Sequence, residues 1–186
     1  IGNGIWEAKL PEKAMAHGQM YKLLVEWNGG YGERIPSYVR RVVQDEQTKI
    51  FSAQVWNEPE YQWKNRKPHP TSPQGRRKSS NEALFIYECH IGMSSKEEKV
   101  NSYEEFRRDV LPRIDKLGYN CVQIMAIQEH PYYGSFGYHV SNFFAASSRF
   151  GTPNELKALI DDAHGRGMLV IMDLVHSHAV KNELEG

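Results

Sequence analysis

ALFIYECHIG (residues 83–92), NCVQIMAI (120–127) and MLVIMDLV (168–175) are three nearly continuous apolar runs. They lack the polar alternation of a strand with one wet face, so they read as strands buried on both faces, the habit of parallel sheets. A helix is expected between the first two. It opens at the capping box Ser102-Tyr103-Glu104-Glu105 and carries Phe106, Val110, Ile114 and Leu117 on one face. Pro112 should kink or split it, and Gly118 can end it. Between the second and third runs, Thr152-Pro153-Asn154-Glu155 gives another cap, with proline at the first helical position. Leu156, Leu159, Ile160 and Ala163 form the apolar face of that helix, and Gly165 and Gly167 stop it. The order β-α-β-α-β calls for parallel strands with right-handed crossovers. An open doubly wound sheet and an eight-stranded barrel both begin this way, and periodicity alone does not choose. A full barrel needs about 250 residues, more than twice the stretch from Ala83 to Gly186. Any barrel here is unfinished.

Upstream the pattern differs. MYKLLVEW (20–27), IPSYVRRVV (35–43) and KIFSAQVW (49–56) read as short strands, with Asn28-Gly29-Gly30 and Gly32 as turn formers between them. Residues 1–58 are therefore expected to be part of a small β-domain. Residues 59–82 turn to Pro, Ser and charge and read as a linker. Its basic cluster (Lys64, Arg66, Lys67, Arg76, Arg77, Lys78) is read as a solvated connector rather than a phosphate site. Residues 83–186 form the α/β part.

Composition narrows the partners. Lys plus Arg number 23 and Asp plus Glu number 23, which leaves no net field to draw a polyanion, so no nucleic acid is expected. No stretch approaches the roughly 20 apolar residues that cross a bilayer, so no membrane partner is expected either. The opening IGNGIWEAKL lacks the basic start and apolar core of a signal peptide. Cys89 and Cys121 lie in the apolar runs and read as buried thiols acting as small hydrophobes, not as a disulfide or a nucleophile. A cytoplasmic setting fits these features.

In parallel α/β folds, reactive groups gather where strands end. Those ends offer Glu88-Cys89-His90, then Gln128-Glu129-His130-Pro131-Tyr132-Tyr133, then Asp173-Leu174-Val175-His176-Ser177-His178. The loop 129–151 is far longer than the usual two to six residues. It holds Tyr132, Tyr133, Phe136, Tyr138, Phe143, Phe144 and Phe150. Aromatic rings at a strand end suit sugars, whose C–H faces stack on them. The phenylalanines are read as loop packing and Tyr138 as a contact residue. His176 and His178, with His90 or Asp173, could in principle hold zinc, but the tight ligand spacing is missing, so no metal and no cofactor is expected.

YECHIGMSS and the stretch LGYNCVQIMAIQEHPYYGSFGYHVSNFFAASSRFGTPNELKALIDDAHGRGMLVIMDLVHSH closely resemble glucan branching enzymes of glycoside hydrolase family 13, almost without a gap from Ala83 onward. DLVHSH resembles that family's first conserved region. Many amylase relatives have Asn before its final His, whereas this chain has Ser177, as in branching enzymes most like the eukaryotic type. More loosely, residues 4–59 resemble the glucan-binding β-sandwich that precedes the barrel in these enzymes, with its first strands missing.

The resemblance implies an α/β fold: the first three strands of a (β/α)8 TIM barrel behind part of a family-48-like carbohydrate-binding module. It implies an enzyme that cleaves an α-1,4-glucan and transfers the chain to a 6-hydroxyl, by a retaining double displacement on two carboxylates. Its partner is an α-1,4-glucan such as glycogen or amylose. Tyr138 looks like the tyrosine that stacks on the sugar where the bond breaks. His178 looks like the histidine that bonds that sugar's 6-hydroxyl, and Asp173 like the aspartate that holds the charge network. His139 and Asn142 are weaker cleft candidates. The nucleophile, the acid/base and a third carboxylate follow later strands in that family, so no catalytic residue is expected here and the 186-residue chain is expected to be inactive alone. A non-catalytic glucan-binding protein, or an amylase- or debranching-type hydrolase, remain as alternatives.

Overall fold

The computed structural model describes residues 4, 6–65 and 83–181. In its first half, β1 (Met20–Tyr21) is followed by a hairpin of β2 (Leu23–Trp27) and β3 (Gly30–Arg34), then by β4 (Val42–Gln44) and β5 (Phe51–Gln54). β1 and β4 flank β5 in one antiparallel sheet, with Met20 opposite Gln54 and Val42 opposite Ala53. The run 20–27 therefore breaks at Lys22 and feeds two sheets. The strand expected over 35–43 does not form: only Val42 and Val43 join a ladder. Pro36 has no N–H to give, and its carbonyl instead closes a turn on the Val39 N–H at 3.0 Å. β3 contains Gly30 and Gly32, which look like turn residues. They are bare because the Trp27 indole lies against them: a Cβ on Gly30 would come within 3.2 Å of the ring nitrogen.

The second half runs β6 (Ile86–Cys89), β7 (Cys121–Ile124), a short hairpin of β8 (Gln128–Glu129) and β9 (Asn142–Ala146), and β10 (Leu169–Met172). β6, β7 and β10 are parallel in the order β10-β7-β6, and Ile86, Cys121 and Leu169 stand in one row. These strands sit inside the three apolar runs. α1 (Tyr103–Glu105), a π-turn (Phe106–Val110) and α2 (Leu111–Lys116) make the first crossover, and α3 (Pro153–Gly165) the second. Both capping boxes form: the Ser102 hydroxyl accepts from the Glu105 N–H, and the Thr152 hydroxyl from the Glu155 N–H. Pro112 splits the first crossover as expected. Its missing N–H and bulky ring cannot meet the carbonyl of Arg108, so the turn before it widens to the π form.

Phe106, Leu111, Ile114, Leu156, Leu159 and Met168 pack on Val122, Ile124 and Cys89 to form the main core. Only one face of the sheet is covered this way. β7 is buried almost throughout, but Ile86 and Met172 on the outer strands are exposed, so burial on both faces holds for the middle strand alone. A second core joins Ile35, Val39, Val42, Phe51 and Ala53 to Ala145 of β9, which seats the small sheet on the hairpin. Cys89 and Cys121 are buried and not joined in a disulfide, and burial pushes the Cys89 thiol up to about 12.

The segment read as linker is only partly described. Arg66, Lys67, Arg76, Arg77 and Lys78 lie outside the described residues. Residues 61–65 are no solvated connector. Asp161 of α3, 3% exposed, accepts from the Tyr61 hydroxyl (2.9 Å), the Lys64 N–H (3.1 Å) and the Asn65 N–H (2.7 Å). Among the described residues, no helix is long and apolar enough to cross a membrane.

Candidate functional site

Tyr138 is placed by a sequence of tight turns. Residues Tyr133–Ser135 form one 3-10 turn, Phe136 takes the left-handed conformation (φ 54°), and Gly137 follows at φ 88°. The Tyr138 N–H then returns to the Ser135 carbonyl at 3.0 Å. Gly137 lies on the backbone of Ala126, just past β7, so closely that a Cβ would stand 2.2 Å from the Ala126 oxygen. Ala126 itself holds φ 39°, and with Val140 and Val175 it forms a small separate core.

That core joins two strand ends. The Asp173 N–H extends the parallel ladder to the Ile124 carbonyl at 3.0 Å. Beyond it, the Val175 N–H donates to Gln128 Oε1 at 2.8 Å, while Gln128 Nε2 donates to the Phe143 carbonyl at 3.2 Å. The Val180 N–H reaches the Val140 carbonyl at 3.0 Å. Segments 138–146 and 173–180 are thus laced at two points, directly by Val180 to Val140 and through the Gln128 side chain. His139 and His178 meet edge to face with ring centroids 6.3 Å apart, and the Ser177 hydroxyl lies 2.9 Å from His178 Nδ1. Tyr138 is 39% exposed. Asn142 stands opposite Glu129 and its Oδ1 accepts from the Ser141 hydroxyl. No hydrogen bond joins Tyr138 to Asp173 among the described residues. Of the five candidates only His139 and His178 are in contact; Tyr138 and Asn142 lie on the first of the two laced segments and Asp173 on the second.

Other residues from the strand ends take structural parts. Glu129 is 1% exposed: Oε1 accepts from the His130 N–H (3.1 Å), Oε2 from the Ser148 N–H (2.7 Å), and its carbonyl from the Ser141 N–H (2.9 Å). Burial pushes this carboxyl up, against the pull of the Ser148 N–H. His90 accepts from the Met93 N–H at Nδ1 and packs edge-on against Tyr133, Phe136 and Phe150, so it is no partner for His176 or His178. Among the described residues, no group of three or more His, Cys, Asp or Glu is arranged to hold a metal ion. Phe150 is buried as expected of loop packing, but Phe143 and Phe144 are exposed, and Phe144 pairs with Tyr38 of the small sheet at 4.7 Å. Both lie in β9, a paired strand that a loop reading does not register.

Tyr103 fixes the loop's far end, donating from its hydroxyl to the Ser147 carbonyl at 2.8 Å in a fully buried setting. Tyr103→Phe leaves that carbonyl without its partner and is expected to lower stability by about 1–2 kcal/mol. A urea midpoint equal to that of the parent would contradict the bond.

Residues 108–184 match the alpha-amylase catalytic domain family. The chain is 50% identical over 191 residues to the chloroplastic/amyloplastic 1,4-alpha-glucan-branching enzyme 2-2 of Arabidopsis thaliana, a match covering 98% of this chain and 22% of that protein. It is 47% identical over 193 residues to the 1,4-alpha-glucan-branching enzyme of Yarrowia lipolytica, covering 98% and 26%. Over nearly its whole length the chain is similar to these branching enzymes, and it spans about a quarter of the length of these curated relatives. In fold, the chain is similar to a Group B Streptococcus pullulanase at 19% identity, with a TM-score of 0.69 over 89% of this chain and 26% of that one. The Gln128 bridge, which ties two strand ends together, escaped the sequence reading. A buried glutamine with both ends bonded leaves no periodic signal.

Proposed function

We propose that this chain forms one wall of the glucan cleft of a 1,4-alpha-glucan branching enzyme. Such an enzyme breaks an α-1,4 bond and passes the chain to a 6-hydroxyl through a covalent intermediate. The lacing of segment 173–180 to the aromatic hairpin supports this reading, since it sets the segment that carries Tyr138, His139 and Asn142 against the one that carries Asp173 and His178. In this reading Tyr138 offers a ring face to the sugar. Asp173 and His178 take its hydroxyls, and His139 and Asn142 line the margin. The nucleophile and acid/base lie outside these 186 residues.

β6, β7 and β10 are then the first three strands of the catalytic barrel. Exposed Ile86 and half-buried Leu169 and Ile171 lie on the face that the helices leave open, and a barrel interior is where such a face would be buried. Residues 1–58 act as a glucan-holding β-module that raises local substrate concentration. Two cysteines outside any disulfide fit a reducing compartment, the cytosol or the plastid in which the Arabidopsis relative is named.

The test is incubation of the natural protein with amylose, following the iodine spectrum against reducing ends. Branch points should rise with few new reducing ends, and Tyr138→Ala should slow transfer on the order of tenfold, matching loss of one stacking contact of roughly 1.5 kcal/mol. The 186-residue chain alone should transfer nothing. Reducing ends outrunning branch points would mark a hydrolase, and full activity in Tyr138→Ala would remove that residue from the cleft.

A further inference from the structure

Gln128 opens β8 and is 4% exposed, with both ends of its amide in use. The Val175 N–H can only donate, and the Phe143 carbonyl can only accept. The amide therefore has one possible orientation, with Oε1 toward Val175 at 2.8 Å and Nε2 toward Phe143 at 3.2 Å. An ionised carboxylate has no donor and a thioether has no strong hydrogen bond to offer. Neither Glu nor Met, side chains of similar length, can hold both partners.

Each partner sits where a regular ladder gives out. Gln128 stands opposite Ala146 and Glu129 opposite Asn142, so residues 143–145 bulge from β9 between them. The small sheet rests on that bulge: Ala145 packs with Ile35, Val39, Val42 and Phe51, and the Phe144 ring meets Tyr38 at 4.7 Å. On the other side, β10 ends at Met172. Past it the Asp173 N–H bonds to the Ile124 carbonyl and the Val180 N–H to the Val140 carbonyl. Between those two points, the Val175 bond to Gln128 is the one hydrogen bond that holds the backbone among the described residues. Val175 stands between Asp173 and His178.

We propose that Gln128 is a positioning residue: its amide locks the Asp173–His178 segment to the β9 bulge, so that this segment, the hairpin that carries Tyr138 and the small sheet keep one fixed relation. The inference rests on the cleft reading only for its effect on glucan transfer, and the lock itself can be measured without any sugar.

The experiment is hydrogen–deuterium exchange of the natural protein, read on peptides covering 143–146 and 173–180 and, as a control, on α2. Q128M keeps the length of the side chain and loses both bonds. It should speed exchange in both segments about tenfold, as loss of one buried hydrogen bond at each predicts, and leave α2 within about twofold of the parent. Q128E keeps an acceptor for Val175 but sets a second oxygen against the Phe143 carbonyl. At about pH 9, with its carboxyl ionised, it should exchange faster than the parent at 143–146. By about pH 5 the protonated carboxyl has an O–H for Phe143, and the ratio to the parent at the same pH should fall to within about threefold. Glu129, Asp173 and the nearby histidines are common to both proteins and drop out of that ratio. Q128M has nothing to protonate and should show no such recovery, which separates the two bonds from simple packing. Parental exchange in Q128M, faster exchange in only one of the two segments, or a Q128E ratio unmoved by acid would each overturn the proposal. If Q128M does not fold, Q128E decides, and failure of both to fold would also overturn it, because a lock between segments loosens them locally. Faster exchange in both segments with unchanged glucan transfer would leave the lock standing and count against the cleft reading.

Discussion

Gly137→Ala is expected to destabilise the protein by roughly 3 kcal/mol, summing the usual strain of a left-handed alanine and of an overpacked site. The added Cβ would stand 2.2 Å from the Ala126 oxygen and 2.5 Å from the Ala126 Cβ, distances real atoms do not tolerate. Ala126 cannot step aside. It is fully buried, already at φ 39°, and its neighbours Met125 and Ile127 are bonded to Cys89 and Ser147. The turn must move instead, and it carries Tyr138. A fall in melting temperature of about 6–12 °C is expected, with the Tyr138 ring displaced. Gly134→Ala is the control. Its Cβ would meet only the tip of the exposed Tyr132 side chain, which can swing away. Equal effects from the two substitutions would show that the Gly137–Ala126 contact is not what fixes the turn.

Asp161→Ala should remove about 3 kcal/mol, because it leaves the Tyr61 hydroxyl and the N–H groups of Lys64 and Asn65 without their acceptor. Residues 61–65 should come free of α3 and become open to proteolysis, although the His164 contact with the Asn65 carbonyl at 3.0 Å remains. The acid response follows from the same bonds. Burial pushes the Asp161 carboxyl up, but the Lys64 and Asn65 N–H groups and the Tyr61 hydroxyl more than offset it, so it lies below the ordinary value of 3.8. As pH falls, the unfolded chain takes up this proton first, so stability present above the ordinary aspartate range is lost as pH drops toward the folded value. The urea-midpoint gap between parent and Asp161→Asn should therefore be full at pH 7 and shrink only in strong acid. A gap that stays constant from neutral pH down to the acid limit would exclude the charged aspartate as the anchor.

What could be read from the sequence was what neighbours in sequence decide. Ser102 with Glu105 and Thr152 with Glu155 are three residues apart, so their caps are written locally. The same holds for the π-turn ahead of Pro112 and for the three apolar runs that became β6, β7 and β10. Tyr138, Asp173 and His178 are candidates through resemblance alone, and the structure lays the segments that carry them side by side. The reading failed where local cues conflict with distant partners. Gly30 and Gly32 looked like turn residues until the Trp27 indole was seen lying on them, and Phe144 looked like packing until Tyr38 was found beside it.

The sequence by itself determined the order of strands and helices and their caps and breaks, because periodicity and short-range hydrogen bonds act within a few residues. Only the tertiary structure decided which buried polar groups find each other: Arg41 with Gly151, Gln128 with Val175 and Phe143, and Asp161 with residues 61–65. A buried donor must find an acceptor wherever the fold brings one, and a partner a hundred residues away leaves no mark on the residues next to it.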